Sequence, residues 1–158
     1  GVIVGKYAAS TDPGQIVRFD PQTKSTRALT SFNKDRLAQI HLPNPEHFWF
    51  TAKNGKKIHS IIVPPPVVEP GKKYPLIAFP HGGPNSMSAD TFSARWNSHL
   101  LTAPGYFRIM TNYTGSTGFG GSALRIASTE LGVRAAIRER VSERHAAIMR
   151  VISRRLTS

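Results

Sequence analysis

The stretch IAFPHGGPN, residues 77–85, determines the expected fold class, because it places an apolar run, a histidine, two glycines and prolines in close succession. Residues 76–79 are a short apolar segment after Pro75, which is typical of a strand buried on both faces of a parallel sheet. Glycine permits tight turns and close approach to a ligand, and proline restricts the chain that follows. The stretch therefore predicts either a functional loop at a strand end or a plain strand-to-helix turn without chemistry.

The residues before this loop predict antiparallel β-structure. Residues 2–10 and 15–20 are predicted strands, joined by the turn signal TDPG at 11–14. The stretch FWFTAKNGKKIHSIIVPPP, residues 48–66, predicts a hairpin, because Asn54-Gly55 favours a turn with positive φ at both central residues. The proline-rich segment PPPVVEPGKKYP, residues 64–75, can make few ladder hydrogen bonds and predicts a connector or a domain boundary.

After this connector the pattern changes to alternation of strand and helix. The strand at 76–79 is followed by SARWNSHLLTAPG, residues 93–105, which predicts a short helix ended by Pro104 and Gly105. FRIMTNY, residues 107–113, is the next predicted strand. This order is typical of the α/β class, so the chain is expected to pass from a β-rich segment into a strand–helix–strand sheet.

The composition changes abruptly near residue 120. All 12 prolines and every aromatic residue lie before that point, and the remaining residues have arginine without lysine. The segment 121–158 is predicted to be an amphipathic helix, for which three interpretations stay open: a surface or partner helix, a basic helix for anionic surfaces, or a tail from a shifted reading frame. The apolar positions that recur every four or seven residues are Val133, Ile137, Val141, Ile148 and Ile152.

Length and composition limit the classes of protein. A chain of 158 residues suits one domain, or a small domain with part of another, and the absence of cysteine excludes disulfides, thiolate metal sites and a catalytic cysteine. The net charge of +12 is +7 over residues 1–120, where several lysines lie in turns such as NGKK and PGKK, and +5 over 121–158, so nucleic acid is not an expected partner. No apolar run approaches the roughly 20 residues of a membrane helix, and no signal peptide is expected. A soluble protein is expected, and cytoplasmic and periplasmic locations both stay open.

Scattered histidines predict no metal site, and no phosphate-binding glycine pattern is present, so no cofactor is expected. The first residue is not methionine, and we therefore expect the chain to be part of a longer protein.

A second glycine-rich stretch, TNYTGSTGFGG at residues 111–121, follows the last predicted strand. Together, the two loops resemble the prolyl oligopeptidase family of serine peptidases, most of all its acylaminoacyl-peptidase and dipeptidyl-aminopeptidase branch. The resemblance covers roughly residues 1–120, weakly at first and specifically in the two motifs. It implies the end of a β-propeller with a connecting hairpin at 1–63 and the start of an α/β-hydrolase domain at 64–120, before the arginine-rich helical tail at 121–158.

In α/β-hydrolases the loop after this strand supplies a backbone N–H to the oxyanion hole. The resemblance therefore implies that Gly83 donates this N–H, while His81 orients the loop by a hydrogen bond instead of acting as a base. The implied oxyanion-hole loop is His81, Gly82, Gly83 and Pro84. The implied residues of active-site support and substrate binding are Asn112, Tyr113, Gly115, Ser116 and Gly118.

The nucleophile of this family lies in a G-x-S-x-G turn, followed along the chain by aspartate and histidine. The sequence contains no such turn, since TGSTG around Ser116 has Thr114 at the first glycine position, and His145 is the only histidine after residue 120. We expect a fragment of a serine peptidase whose Ser-Asp-His triad lies outside this chain, so that the chain alone is inactive toward peptides. The open alternatives are a related esterase and a non-catalytic binder of anionic partners through the basic tail; the oligomeric state is not predicted.

Overall fold

The computed structural model describes residues 1–52, 55–82 and 85–119, which form two β-sheets and two short helices. The first sheet is formed by β1 (Ile3–Ala9), β2 (Asp12–Asp20) and β3 (Ser25–Ala28). It is antiparallel, in the order β1-β2-β3. The helix predicted within 121–158 lies outside the described residues.

The predicted TDPG turn is wrong in its position, because β2 already begins at Asp12. The Oδ1 atom of Asp12 accepts a 2.8 Å hydrogen bond from the Gly14 N–H, and Gly14 has a φ of 137°. The pairing register shifts between Tyr7 and Ala9, and this irregularity accommodates the early start of the second strand. The chain therefore reverses at 10–11.

The second sheet is formed by β4 (Glu46–Thr51), β5 (Lys57–Val63), β6 (Leu76–Ala78) and β7 (Phe107–Asn112). It is mixed and has the strand order β4-β5-β7-β6. Strand β5 pairs antiparallel with β4 and with β7, whereas β6 and β7 are parallel neighbours, as the α/β pattern predicts. The two short helices are α1 (Lys34–Leu37), which precedes β4 in the chain, and α2 (Ser98–Thr102), which precedes β7.

The predicted hairpin is confirmed by the pairing of β4 with β5, which ends at Thr51 opposite Lys57. Beyond this pair the Ala52 N–H donates to the Lys56 carbonyl at 2.8 Å. Gly55 has a φ of 80°, as the turn signal predicts. Asn54, the other predicted turn residue, lies outside the described residues.

The core lies on β5 and β7, the two paired strands at the centre of the mixed sheet. Within it, Ile61, Val63 and Met110 form a contacting cluster, with Phe79 packed against them. The β6 strand is at the edge of the described sheet and is only partly buried, so the prediction of a strand buried on both faces is wrong for the described residues. Because an edge strand has one neighbour, β6 depends on β7 for its position.

The predicted helix at 93–105 is confirmed only in its second half, as α2. Its N-cap is Asn97, whose side-chain oxygen accepts from the His99 N–H at 2.9 Å and from the Leu100 N–H at 3.2 Å. This cap fixes the start of the helix after 93–96, because an asparagine at the N-cap satisfies amides that have no partner within the helix. Within the described residues, none of the helices has the length and apolar character needed to span a membrane.

The positive φ of Gly55 predicts that alanine lowers stability more at this position than at a glycine in extended backbone. Gly55→Ala is expected to lower the free energy of unfolding by about 1–2 kcal/mol, because an L-residue is strained in this region of backbone space. The matched control is Gly5→Ala in β1, where an added Cβ meets no atom within 4 Å. Urea denaturation of both variants checks the prediction, and equal stability of the two would contradict it.

Candidate functional site

The two glycine-rich loops meet at one edge of the mixed sheet. The β6 strand ends at Ala78 and its parallel neighbour β7 ends at Asn112, so the loops after both strands leave the sheet on the same side. Ligands of α/β proteins bind at this carboxyl edge of parallel strands. The topology therefore brings together the two loops that the sequence analysis selected.

His81 connects the first loop to the second. Its Nε2 lies 2.8 Å from the Ser116 Oγ, and its ring stacks on Tyr113 with centroids 4.4 Å apart and an interplanar angle of 14°. The Tyr113 hydroxyl also donates to the His81 carbonyl at 2.9 Å. The ring and the backbone of His81 are thus both held by the loop after β7.

The Ser116 hydroxyl is itself fixed and enclosed. It donates to the Tyr113 carbonyl at 2.7 Å, and the residue is 1% exposed. Because a hydroxyl has a single hydrogen, this bond leaves the oxygen as the acceptor toward His81. The pair has the separation of a serine–histidine dyad, but the hydroxyl hydrogen is directed to a carbonyl, which suits an orienting contact better than proton abstraction.

The other ring nitrogen of His81 faces the start of the glycine pair. Its Nδ1 lies 2.9 Å from the Gly82 carbonyl oxygen. Both this oxygen and the Ser116 Oγ are acceptors, so both contacts are hydrogen bonds only in the ring form that carries a hydrogen on each nitrogen. A Cβ added at Gly82 would meet no atom within 4 Å, so the surface beside this peptide is open. Gly83 and Pro84, the other two predicted residues of the loop, lie outside the described residues.

The remaining predicted residues all lie in the loop after β7 or at its start. Tyr113 and Ser116 contact His81 as described, whereas Gly115 and Gly118 have φ values of 100° and 86°, which favour glycine. The Asn112 side chain pairs with the backbone of Ser88. Sequence reasoning missed Ser88, for which no local signal exists.

A histidine and aromatic cluster on the same sheet was also missed. His59 on β5 accepts from the Asn112 Nδ2 through its Nδ1 at 3.0 Å, and its Nε2 lies 3.1 Å from the Nδ1 of His47 on β4. The rings of Trp49 and Phe119 lie 5.1 and 5.8 Å from the His59 ring. The predicted hairpin of β4 and β5 was the available signal. Residues two apart on a strand share a face of the sheet, so aromatic and histidine side chains at alternate positions of the two strands are expected to meet.

Burial of His59 lowers the pKa of its imidazole below the ordinary value, and the adjacent His47 lowers it further. Both causes disfavour the charged ring. Among the residues at 1–52, 55–82 and 85–119, no three His, Asp or Glu side chains come together as a metal site.

Comparison with known proteins finds relatives over most of the chain. The chain is 36% identical over 121 residues to dipeptidyl-peptidase 4 of Giardia intestinalis. This match covers 75% of the chain and 16% of the relative. The chain is 45% identical over 114 residues to dipeptidyl-peptidase 5 of Aspergillus fumigatus, which covers 72% of this chain and 15% of the relative. Among solved structures, Pyrococcus horikoshii acylaminoacyl peptidase matches with a TM-score of 0.73 at 23% identity, over 95% of this chain and 23% of that one. No family model matches the sequence.

The antiparallel segment, the mixed sheet and the two loops at its carboxyl edge match part of the fold of peptidases that combine a propeller with an α/β-hydrolase domain. The chain belongs to the prolyl oligopeptidase family of serine peptidases. It spans only 16% of the length of the Giardia relative. The expected resemblance to this family is confirmed, and members of the family are hydrolases.

The lowered pKa of His59 predicts a dependence of stability on pH. The unfolded imidazole titrates near 6.5 and the folded one below it, so the stabilisation is complete above pH 6.5 and is lost as the pH falls through the folded pKa. His59→Asn is expected to reduce this loss, since its amide oxygen replaces the Nδ1 acceptor and does not titrate. Urea denaturation across this pH range checks the prediction.

An unchanged pH dependence in His59→Asn would contradict it. His41→Asn provides the matched control, because it makes the same exchange at an exposed histidine.

Proposed function

We propose that this chain supplies the oxyanion-hole loop of a serine peptidase and that Gly83 provides the backbone N–H. The observation that carries the proposal is the contact between the His81 Nδ1 and the Gly82 carbonyl oxygen, at 2.9 Å. A trans peptide unit directs its N–H opposite to its carbonyl. Because the carbonyl lies beside the His81 ring, we propose that the following N–H points away from the ring and toward the substrate.

The environment of His81 supports an orienting role. Its ring is stacked on Tyr113 and bonded to the buried Ser116, so it cannot rotate without losing both contacts. An oxyanion donor is effective when it is fixed before the reaction, because no reorganisation is then needed as charge develops. The glycine pair removes side chains from the approach to this N–H.

The reaction class follows from the family. We propose hydrolysis of peptide bonds through a Ser-Asp-His triad, with the second oxyanion donor from the residue after the nucleophile. The relatives named above are dipeptidyl and acylaminoacyl peptidases. The proposed substrates are accordingly peptides, cleaved near a free or acylated amino terminus.

We propose that this triad lies outside the 158 residues, because no G-x-S-x-G turn occurs in the sequence and the Ser116 hydroxyl is directed to a carbonyl. The chain alone is then inactive. Loss of the nucleophile costs on the order of 10⁶ in turnover, whereas binding and an oxyanion hole alone retain roughly 10³–10⁴ over water. We further propose the divisions 1–63, 64–120 and 121–158 as the propeller end with the connecting hairpin, the hydrolase start and the tail. The hairpin of β4 and β5 then belongs to the same sheet as the hydrolase strands β6 and β7.

The test is a chimaera in which residues 76–119 replace the matching segment of the Aspergillus fumigatus dipeptidyl-peptidase 5. The chimaera is expected to hydrolyse a dipeptidyl anilide, and Gly83→Pro is expected to lower kcat by about 10²–10³-fold, since proline has no N–H. Gly83→Ala, which keeps the N–H, is the matched control and is expected to retain more activity.

Equal kcat values for the proline and alanine variants would overturn the oxyanion role. The isolated chain is expected neither to turn over the anilide nor to react with a serine-directed phosphonate. Turnover by the isolated chain that disappears in Ser116→Ala would instead make Ser116 a nucleophile and contradict the proposal.

A further inference from the structure

We infer that Asn112 is a positioning residue for the loop after β6: its side-chain amide pairs with both backbone groups of Ser88 and anchors the far end of that loop. The near end is anchored at His81. The inference rests on the proposed function, since it concerns the loop proposed to form the oxyanion hole. It concerns a different residue and a different contact from those on which that function was argued.

The Asn112 amide forms a complete pair with the Ser88 backbone. Its Oδ1 accepts from the Ser88 N–H at 2.7 Å, and its Nδ2 donates to the Ser88 carbonyl at 2.9 Å. Asn112 is 3% exposed and Ser88 is 9% exposed. The side-chain amide thus bonds to Ser88 as a peptide unit of a neighbouring strand would. Because the site is buried, each of the two bonds satisfies a polar group that water does not reach.

Two further contacts hold the same segment. The Thr117 N–H donates to the Ser86 carbonyl at 3.0 Å, and the Met87 sulfur lies 3.4 Å from the position that a Cβ on Gly118 would occupy. The residues from Ser86 to Ser88 are therefore held against the loop after β7. With His81 bonded to Ser116, the glycine loop is fixed at both of its ends by neighbouring residues of β7 and its loop.

Asn112 also determines which nitrogen of His59 carries the proton. The pairing with Ser88 settles the orientation of the amide, so its Nδ2 faces the His59 Nδ1 at 3.0 Å. A donor in that place requires a lone pair on Nδ1, and the neutral ring then carries its hydrogen on Nε2, opposite the Nδ1 of His47. This tautomer is a spectroscopic signature of the Asn112 orientation, which general loss of stability would not produce.

The experiment measures amide hydrogen exchange and imidazole ¹⁵N shifts by NMR in the 158-residue chain. Asn112→Ala is expected to accelerate exchange of the Ser88 N–H by at least about tenfold, because both bonds to its backbone are lost. Asn112→Asp keeps the acceptor for the Ser88 N–H, and this amide is expected to exchange more slowly in the aspartate variant than in the alanine variant. The aspartate carboxylate is expected to move the His59 proton from Nε2 to Nδ1.

Thr111→Val is the matched control. Thr111 lies in the same strand as Asn112, and its substitution removes the hydrogen bond that it accepts from the Ser60 hydroxyl at 3.2 Å. The contacts of Ser88 and His59 with Asn112 are left in place. Exchange of Ser88 and the His59 tautomer are expected to stay as in the unchanged protein. If Asn112→Ala does not fold, the tautomer in Asn112→Asp decides.

The inference is overturned if the Ser88 N–H exchanges in the unchanged chain as fast as an unstructured amide, if Thr111→Val has the same effect as Asn112→Ala, or if Asn112→Asp keeps the proton of His59 on Nε2. These readouts do not involve turnover. Failure of the oxyanion proposal in the chimaera is therefore distinguishable from failure of the inference about Asn112.

Discussion

The hydrogen bond between His81 and Ser116 is the contact on which the site depends, because it joins the loops that follow the two parallel strands. Ser116 can serve this role because its own hydroxyl hydrogen is bound to the Tyr113 carbonyl and its side chain is enclosed. A partner that is already fixed loses little further conformational entropy when it binds the imidazole. The ring in turn lies against the Gly82 carbonyl, so the start of the glycine loop is linked through His81 to a residue 35 positions further along the chain.

Support for the loop comes from β7 and only weakly from β6. The latter is a strand of 3 residues at the edge of the described sheet, whereas β7 lies between β5 and β6 and is buried along most of its length. The guanidinium carbon of Arg108 on β7 lies 4.2 Å from the centroid of the Phe79 ring. The same guanidinium donates to the Trp96 carbonyl at 3.1 Å. Burial lowers the pKa of the Arg108 guanidinium, and these contacts offset part of the cost of a buried charge. One strand thus carries both the packing and the polar contacts that shape the loop.

Local patterns predicted the elements better than the contacts between them. The hairpin at Gly55 and the parallel pair β6–β7 followed from turn chemistry and apolar runs, which act over a few residues. The resemblance selected Asn112 and Ser116, and the structure brings the second of these to His81. The pairing of Asn112 with Ser88 could not be predicted, because it joins positions 24 apart through side-chain geometry that no sequence period encodes. The burial of β6 was overestimated because an apolar run does not show what packs against each face of a strand.

The most direct measurement is a double-mutant cycle between His81 and Ser116, by urea denaturation of the single and double variants. His81→Phe keeps an aromatic ring against Tyr113, and Ser116→Ala removes the hydroxyl, so the coupling reports the bond between the two side chains. The account predicts a coupling free energy of about 1 kcal/mol or more. Additive effects within about 0.3 kcal/mol would contradict it, since the two loops would then be held independently.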